Sequence, residues 1–412
     1  MVNFERFILP NGLTVIVNED KTTPLVAINL LYSVGSRDEN PEKTGFAHLF
    51  EHLMFGGSAN ASSFDEPLQM VGGENNAYTT NDVTNYYITL PADNVETGLW
   101  LESDRMLALD FSEQSLKVQQ NVVIEEYRQR YLNQPYGDIW LLLRPLAYKV
   151  HPYKWPTIGK TIDHIRTATL SDVKDFFYSH YAPNNAFMAL SGNIKSSDAR
   201  NLIVKWFGDI EKRNVKARHL PLEPEQTQPR ELTVSRKVPY DAVYKAWHVP
   251  KRLDHGFYVC DLATDLLSSG KSSRLYQILV KEKKLFSEIN AYVTGDIDPG
   301  LMIIGGKTMN GVLAKDADQA ILDVIRDLVK TPVSDSELKK VQNKYETNLM
   351  LGQTNALNKA IGLSYYEMLG DAELLNKEIN KYNEITPEEI SMVVSNVLCE
   401  NNCSTLYYLA EK

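Results

Sequence analysis

The first part of the chain is patterned as short, largely apolar strands separated by polar turns. Residues 4–18 predict a hairpin, because alternating apolar positions follow an Asn-Gly turn. Residues 24–34 are almost wholly apolar, which is typical of a strand that is buried on both faces. Residues 75–90 are rich in threonine, tyrosine and asparagine, and predict two strands that meet near Asn81-Asp82. A further strand is predicted from Asn185, so this part of the chain supplies a sheet.

Helical periodicity separates these strands. Residues 92–108 and 112–132 have apolar positions at the three- and four-residue spacing of amphipathic helices, and Ser112 is a suitable N-cap for the second. Shorter helices are predicted over residues 64–71 and 170–180. Strands that alternate with helices in this way predict an α+β fold in which helices pack on a sheet.

The second part of the chain repeats the first. Residues 24–32 match residues 241–249, and residues 181–190 match residues 398–407, both at an offset of 217. Each match is weak by itself. Because the offset and the order of the elements are shared, we interpret the repeat as a duplication.

The break between the two copies lies in residues 212–230, which hold three prolines and many charges without periodicity. Such a segment is typical of a linker. We therefore predict two homologous halves, each a sheet packed with helices, in residues 1–211 and 231–412. A chain of 412 residues is also longer than one ordinary core supports.

Composition describes a globular protein and excludes several classes of partner. Apolar residues make up 43% of the chain and charged residues 23%, which is usual for a soluble protein. The formal net charge of −10 argues against nucleic acid and against an anionic membrane surface as partners. Three cysteines are too few for a disulfide framework and fit a reducing compartment. Since neither a signal peptide nor a membrane-spanning run is recognised, a cytoplasmic location is expected, although a trimmed leader would hide an export signal.

The strongest chemical signal lies in residues 45–58, GFAHLFEHLMFGGS. His48 and His52 are four residues apart, so both imidazoles leave the same face of a helix, and Glu51 can share that face. Two imidazoles and a nearby carboxylate suit a hydrolytic zinc ion, which takes nitrogen ligands and needs a base for its water molecule. The apolar residues around them predict a mostly buried helix, in which ionisable groups need a partner.

The same spacing also occurs without a metal. Two histidines four apart on a helix are often a surface accident, or one of them is a satisfied core residue. The internal repeat favours chemistry here, because the second copy is apolar at all three positions, and packing alone accepts the apolar version. The corresponding residues of the second copy are Val259, Leu262 and Ala263.

A hydrolytic zinc ion normally has three protein ligands and a water molecule. We look for the third ligand in residues 115–131, SLKVQQNVVIEEYRQRY, which predict a helix. Glu126 follows Val122 by four residues and Val123 by three, on the apolar face, whereas Glu125 points about 100° away. A solvated face is the simpler interpretation of a glutamate pair, so the residues alone leave the third ligand open.

Together these motifs resemble the inverted-motif zinc peptidases, the family of pitrilysin, insulin-degrading enzyme and the mitochondrial processing peptidase. HLFEH is followed by the acid in NVVIEEYR, and the likeness continues through GGENNAYTTNDVTNYY, HPYKWPTIGK, YAPNNAFMALSGN and GKSSRLYQIL. The resemblance implies a zinc-dependent endopeptidase of the short bacterial type, with two homologous α+β halves. An enzyme of this family is expected to act on peptides or unfolded segments inside a closed chamber.

The resemblance also implies roles for individual residues. The implied ligands of one Zn²⁺ per chain are His48, His52 and Glu126, and the implied general base is Glu51. An edge strand of the family binds an extended peptide by strand addition. The residues that match this strand are Asn76, Ala77, Tyr78 and Thr79.

Two features depart from the family pattern. Some relatives have a second acid seven residues before the glutamate ligand, and this chain has Gln119 there, which can form a hydrogen bond but carries no charge. The family also completes its active site with an arginine and a tyrosine from a C-terminal half. The position expected for that arginine is Met302 in this chain.

The departures bear on partners and on function. Four homologous halves form the chamber in the family, and this chain supplies two. We expect a heterodimer with a homologous subunit that lacks H-x-x-E-H but carries the arginine and the tyrosine, with a homodimer as second choice. A non-catalytic scaffold subunit is the main alternative function, and the intact HLFEH with Glu126 argues against it. A zinc-dependent hydrolase of another substrate class is disfavoured by the strand-addition segment.

Overall fold

The computed structural model describes residues 1–331 and 333–411 and divides them into two compact units. Each unit contains one β-sheet packed with helices, so the predicted α+β fold is confirmed. The strands of the first sheet are β1 (Glu5–Ile8), β2 (Thr14–Glu19), β3 (Leu25–Tyr32), β4 (Glu74–Thr79), β5 (Thr84–Pro91) and β6 (Ala186–Gly192). The strands of the second sheet are β7 (Arg230–Arg236), β8 (Ala242–His248), β9 (Phe286–Val293), β10 (Leu301–Thr308) and β11 (Cys403–Ala410).

In chain order the helices are α1 (Phe46–Leu53), α2 (Asp65–Met70), α3 (Val95–Leu107), α4 (Glu113–Tyr127), α5 (Ile139–Ala147), α6 (Ile162–Arg166), α7 (Leu170–His180), α8 (Ser196–Phe207), α9 (His255–Ser268), α10 (Ala314–Lys330), α11 (Asp335–Gly352), α12 (Ala356–Met368), α13 (Leu374–Asn383) and α14 (Pro387–Val397). The predicted helices α1–α4 and α7 fall close to their predicted positions, and most of the remaining helices were not predicted. Two π-helical segments, Arg128–Leu132 and Tyr276–Glu282, accompany them. Among the described helices, none combines the length and the hydropathy needed to cross a bilayer.

The two sheets have the same strand order once the edge strand β1 is set aside. The first sheet runs β1-β2-β6-β3-β5-β4 and the second runs β7-β11-β8-β10-β9. In each sheet one neighbouring pair is parallel, β2 with β6 and β7 with β11, and the other pairs are antiparallel. A shared strand order with the same parallel pair confirms the two homologous halves.

The offset of 217 does not hold in every strand. Ile28 of β3 lies opposite Leu190 of β6, whereas Lys245 of β8 lies opposite Thr405 of β11. An offset of 217 in both strands would place Lys245 opposite Tyr407, so one strand has slipped by two residues. A slip of two residues keeps every side chain on its own face of the sheet, which explains why the apolar pattern survives it.

The two compact units differ from the predicted contiguous halves, 1–211 and 231–412. The first unit comprises Met1–Gln129, Trp155–Leu220 and Leu349–Lys377, and the second comprises Arg130–Lys154, Pro221–Asn348 and Glu378–Lys412. Each unit thus includes a segment from the other copy. Helix α12 packs on β3 and β6, and α5 packs on β8 and β11. These two helices begin 217 residues apart, so each sheet is covered on one face by the equivalent helix of the other copy.

The position of α1 follows from the packing of the first sheet. The sheet is buried on both faces, because Ala27 belongs to the apolar cluster beneath α12 while Ile28 lies against Gly98 of α3. Helix α1 lies beside α4 and contacts β4 and β5. The helix with the H-x-x-E-H residues therefore lies between a second helix and the edge of the sheet.

Candidate metal centre and peptide-binding edge

Helix α1 carries the H-x-x-E-H residues, and its apolar side is tightly packed. Leu49 and Phe50 have no exposed surface, whereas the side chains of His48 and His52 are 12% and 24% exposed. The two imidazole rings are neighbours, as the four-residue spacing predicts, with centroids 4.9 Å apart and planes at 87°. The helix therefore presents both rings on its more accessible side.

The N-terminus of α1 is held by Glu39, which the sequence analysis did not single out. The Glu39 carboxylate accepts hydrogen bonds from the Gly45 and Ala47 amides, both at 2.9 Å, and from Trp155 Nε1 at 3.1 Å. Burial raises the pKa of Glu39 to about 8, although these donors favour its charged form. Gly45 has a φ of 90°, and a Cβ there would come within 2.7 Å of the Ile158 carbonyl oxygen, so glycine is required. These contacts join distant positions, and no local pattern reveals them.

Helix α4 brings Glu126 to the two imidazoles. Glu126 Oε2 lies 3.6 Å from His48 Nε2 and 3.4 Å from His52 Nε2. The side chain of Glu125, by contrast, is 55% exposed and pairs with Arg128. Of the two acids that the sequence analysis considered, Glu126 is therefore the one beside the histidines.

Helix α4 is fixed along its length. Ser112 Oγ accepts a hydrogen bond from the Ser115 amide at 3.1 Å, which is the predicted N-cap. The Gln120 side chain donates to the carbonyl oxygens of Ile165 and Ala168, both at 2.9 Å. These contacts set the position of the helix and, with it, the position of Glu126.

One part of the α4 prediction is wrong. The sequence pattern places Val122 on the apolar face with Val123 and Glu126, yet Val122 is 44% exposed, and the apolar Val118 one turn before it is 51% exposed. Val123 is fully buried, and Glu126 follows it by three residues. The buried side of α4 is therefore rotated toward Val123, because the helix packs on one narrow face rather than along its whole apolar pattern.

The three donor atoms are spaced as ligands of a tetrahedral zinc ion. They all lie within 4.8 Å of one another, and among the described residues His48, His52 and Glu126 form the one group of three or more with this property. Bonds of about 2.0–2.1 Å in a tetrahedron place neighbouring ligand atoms about 3.4 Å apart. The distances of 3.4 and 3.6 Å from Glu126 Oε2 agree with this spacing. Donor types and spacing thus fit zinc.

Glu51 is hydrogen-bonded to the edge strand β4. Thr79, the last residue of β4, donates from Oγ1 to Glu51 Oε2 at 2.6 Å. Glu51 is not one of the three converging donors, and its place beside His52 on α1 suits a base for a water molecule. Thr79 is predicted to bind peptide, and its bond to Glu51 was not predicted, because no spacing rule links positions 28 residues apart.

The edge position of β4 agrees with the role that the resemblance implies. Asn76, Ala77, Tyr78 and Thr79 all lie in this strand, which pairs with β5 and, among the described residues, with no strand on its other side. The Ala77 amide donates to Asn76 Oδ1 at 2.8 Å, so it does not serve the β4–β5 ladder. Burial raises the pKa of Tyr78 to about 12. Peptide binding by these four residues stays a prediction.

The second unit is apolar where the first carries the H-x-x-E-H residues. Val259, Leu262 and Ala263 lie in α9, are at most 1% exposed and belong to the apolar core. Met302, at the position expected for the arginine, is buried in β10. The described residues of this unit thus contain no counterpart of the candidate metal centre.

A buried polar cluster distinguishes the second sheet from the first, and it was not predicted from the sequence. Lys245 Nζ lies 2.7 Å from Asp318 Oδ1 and donates to Thr405 Oγ1 at 2.9 Å. All three residues are at least nine-tenths buried. The matching face of the first sheet is apolar, with Ile28 opposite Leu190.

Two family models match the chain. The model described as insulinase (peptidase family M16) matches residues 14–153. The model described as the peptidase M16 inactive domain matches residues 167–345. The first match contains α1, β4 and α4, and the second includes α9.

Individual proteins are similar over nearly the whole chain. The zinc protease PqqE of Helicobacter pylori is 29% identical over 98% of this chain and 92% of its own length. The uncharacterized zinc protease YmxG of Bacillus subtilis is 25% identical over 96% of each chain. A crystal structure of a protease from Helicobacter pylori has a TM-score of 0.93 at 27% identity and covers 99% of this chain and 100% of that one. A peptidase M16 inactive domain from Pseudomonas fluorescens shares the fold, with a TM-score of 0.86 at 19% identity over 100% of this chain and 99% of that one.

Proposed function

Because this chain belongs to peptidase family M16, we propose that it is a zinc-dependent endopeptidase that cleaves peptides or unfolded segments. The observation that carries the proposal is the convergence of His48, His52 and Glu126 next to Glu51. Relatives that are named zinc proteases support the metal and the class of reaction at the level of the family.

His48, His52 and Glu126 are the proposed ligands, through two imidazole nitrogens and one carboxylate oxygen. A zinc ion bound there lowers the pKa of a water molecule and polarises a carbonyl group. For the ligands to bind, both imidazoles must be neutral and the carboxylate ionised. Their side chains are between 12% and 24% exposed, so water and substrate can reach them.

Glu51 is the proposed general base. It precedes the ligand His52 by one residue on α1, and its Oε2 accepts the hydrogen bond from Thr79. A carboxylate in this position accepts a proton from the attacking water and returns it to the leaving amine. Proton transfer by a positioned side chain contributes about 10²- to 10⁴-fold to the rate.

Strand β4 is the proposed binding site for the substrate backbone. An extended peptide that pairs with the outer side of β4 runs past Thr79 and therefore close to Glu51. Affinity in strand addition comes mostly from main-chain hydrogen bonds, which any extended sequence can form. We therefore propose a preference for peptides and unfolded segments over folded proteins.

A non-catalytic scaffold subunit is the second candidate function. The match of residues 167–345 to an inactive domain favours it, since α9 is apolar at the three positions that matter. The first half argues against it, because a scaffold has no need for three converging ligands with a carboxylate beside them.

The working assembly is proposed to be a heterodimer with a homologous subunit that lacks H-x-x-E-H, and a homodimer is the second choice.

The proposed location is a reducing compartment such as the cytoplasm. This fits the free thiols of Cys260, Cys399 and Cys403.

Metal content and peptide turnover test the proposed function together. The purified chain should contain about one zinc ion and should cleave a quenched fluorescent peptide, alone or after addition of its partner. A chelator should abolish turnover, and added zinc should restore it. A folded, zinc-loaded chain that cleaves no peptide in any assembly would overturn the peptidase proposal and favour the scaffold.

A further inference from the structure

Thr79 joins the strand proposed to bind substrate to the residue proposed as the base. Its Oγ1 donates to Glu51 Oε2 at 2.6 Å. This length lies within the normal range for a hydrogen bond from a hydroxyl to a carboxyl oxygen. The contact thus links β4 to α1 at the point where substrate and water would meet.

We propose that Thr79 is a positioning residue for Glu51, an inference that rests on the proposed peptidase function. Rotation about the last bond of a glutamate side chain is only weakly restricted, so a hydrogen bond to one oxygen fixes the direction of the other. The Thr79 backbone is held by pairing with Thr84 of β5, so its hydroxyl comes from a rigid element. Glu51 is therefore oriented relative to His48 and His52 before a peptide arrives.

The alternative is that the bond between Thr79 and Glu51 only stabilises the fold. The exposure of the two residues and the other contacts of their elements argue against this purely structural role. Thr79 and Glu51 are both partly exposed, so neither needs the other to satisfy a group sealed in the core. The N-terminus of α1 is held independently by Glu39, and β4 is held by its ladder with β5. Loss of the hydroxyl therefore leaves both elements in place and removes one restraint on the direction of the Glu51 carboxylate.

Thr79→Val is the matched test, because valine has nearly the same shape and lacks the hydroxyl. The variant should keep its fold and its zinc, and kcat should fall by about 10- to 100-fold, the range expected for one hydrogen bond to a charged group. KM should change little, since the bond does not involve the peptide. Thr79→Ser restores the hydroxyl and should recover most of the lost kcat.

Two controls separate positioning from binding and from packing. Thr89→Val makes the same change at the other end of the β4–β5 ladder, where Thr89 lies opposite Glu74, and should leave kcat unchanged. Peptide affinity is measured without turnover in the Glu51→Gln variant. Adding Thr79→Val to that variant should leave the dissociation constant unchanged.

Three results would overturn the inference while wild-type activity stands. In the first, Thr79→Val has both wild-type kcat and wild-type peptide affinity. In the second, Thr79→Val has wild-type kcat but binds peptide more weakly. In the third, Thr79→Ser is as slow as Thr79→Val. The second result would make the Thr79 hydroxyl a substrate-binding group. The third would assign the effect to packing around residue 79, because serine keeps the hydroxyl and valine keeps the methyl group of threonine. A zinc-loaded wild-type chain without turnover would instead overturn the proposed function, and this inference with it.

Discussion

Replacing Glu51 by glutamine should separate the chemistry from metal binding. Glutamine keeps the size of the side chain and an oxygen that can accept from Thr79, but it removes the negative charge and the basic oxygen. None of the three converging donor atoms belongs to Glu51, so the variant should retain about one zinc ion per chain. The lost proton transfer should lower kcat by about 10²- to 10⁴-fold, which corresponds to about 3–5 kcal/mol in the barrier.

Glu126→Gln should behave in the opposite way. Its Oε2 lies within 3.6 Å of both imidazole nitrogens, and it is the one acidic member of the proposed ligand set. An amide is a weaker ligand than a carboxylate, so zinc and activity should be lost together. Glu125→Gln is the matched control on the same helix. Its side chain is 55% exposed and pairs only at the surface, where such a pair contributes at most about 1 kcal/mol, so zinc and activity should persist.

Three measurements decide this series. Zinc per chain is determined by atomic emission, kcat with a quenched fluorescent peptide, and the integrity of the fold by circular dichroism. A Glu51→Gln variant with wild-type kcat would refute the assignment of the base. Zinc loss in Glu125→Gln, together with zinc retention in Glu126→Gln, would refute the geometry of the candidate metal centre.

Two further predictions concern the edge strand and the second core. Ala77→Pro should weaken peptide binding strongly and leave zinc bound, because it removes a donor that the β4–β5 ladder does not use. Titration calorimetry in the Glu51→Gln background measures this, and unchanged affinity would rule out strand addition at β4. Lys245→Met alone should lower the free energy of unfolding by about 3–5 kcal/mol, since Asp318 then stays buried without its counter-ion. The double variant Lys245→Met with Asp318→Leu should lose far less free energy of unfolding, because the matching face of the first sheet is apolar. Urea unfolding measures both variants, and an equal loss of unfolding free energy in the two would contradict this reasoning.

Elements that obey short-range rules could be predicted from the sequence. The hairpin β1–β2, the strand pair β4–β5 and the N-cap Ser112 each follow from patterns within a few residues. The neighbouring imidazoles of α1 follow from helix geometry alone. The duplication was recognisable because a two-residue slip does not change which face a side chain occupies.

Contacts between distant segments could not be predicted in this way. Glu39 lies in a charged loop that resembles any solvated turn, yet it holds the N-terminus of α1. The exchange of α5 and α12 between the two sheets leaves no mark in the local pattern of either helix, because periodicity does not say on which sheet a helix packs. The bond from Thr79 to Glu51 likewise depends on where the sheet edge meets α1. Such contacts depend on tertiary packing, which periodicity does not encode.

The chain alone should be a poor peptidase, and activity should require a second subunit. Its own second unit has Val259, Leu262 and Ala263 in the apolar core and Met302 buried, so none of these positions can help to hold a substrate.

The candidate centre also has features of a surface that a partner covers. The ligand side chains are up to 24% exposed, and Val118 and Val122 present apolar surface on the helix that carries Glu126. A homologous subunit that supplies an arginine and a tyrosine would complete the site and exclude water from it, which strengthens every electrostatic contact with the transition state. Stable protein–protein interfaces of standard size bury about 1,600 Å² in total, and we expect an interface of this size here.

Light scattering on sized fractions, with peptide turnover assayed in each, separates the three possible assemblies. We expect turnover only after the second polypeptide is added, in a fraction that contains both chains. Glu126→Gln in the same mixture should abolish this turnover, because the proposed metal ligands belong to this chain and not to its partner. Full activity in a pure homodimer would replace the heterodimer by the second choice. Full activity in the monomer fraction would contradict the prediction altogether, because a half-enclosed site would then suffice for catalysis.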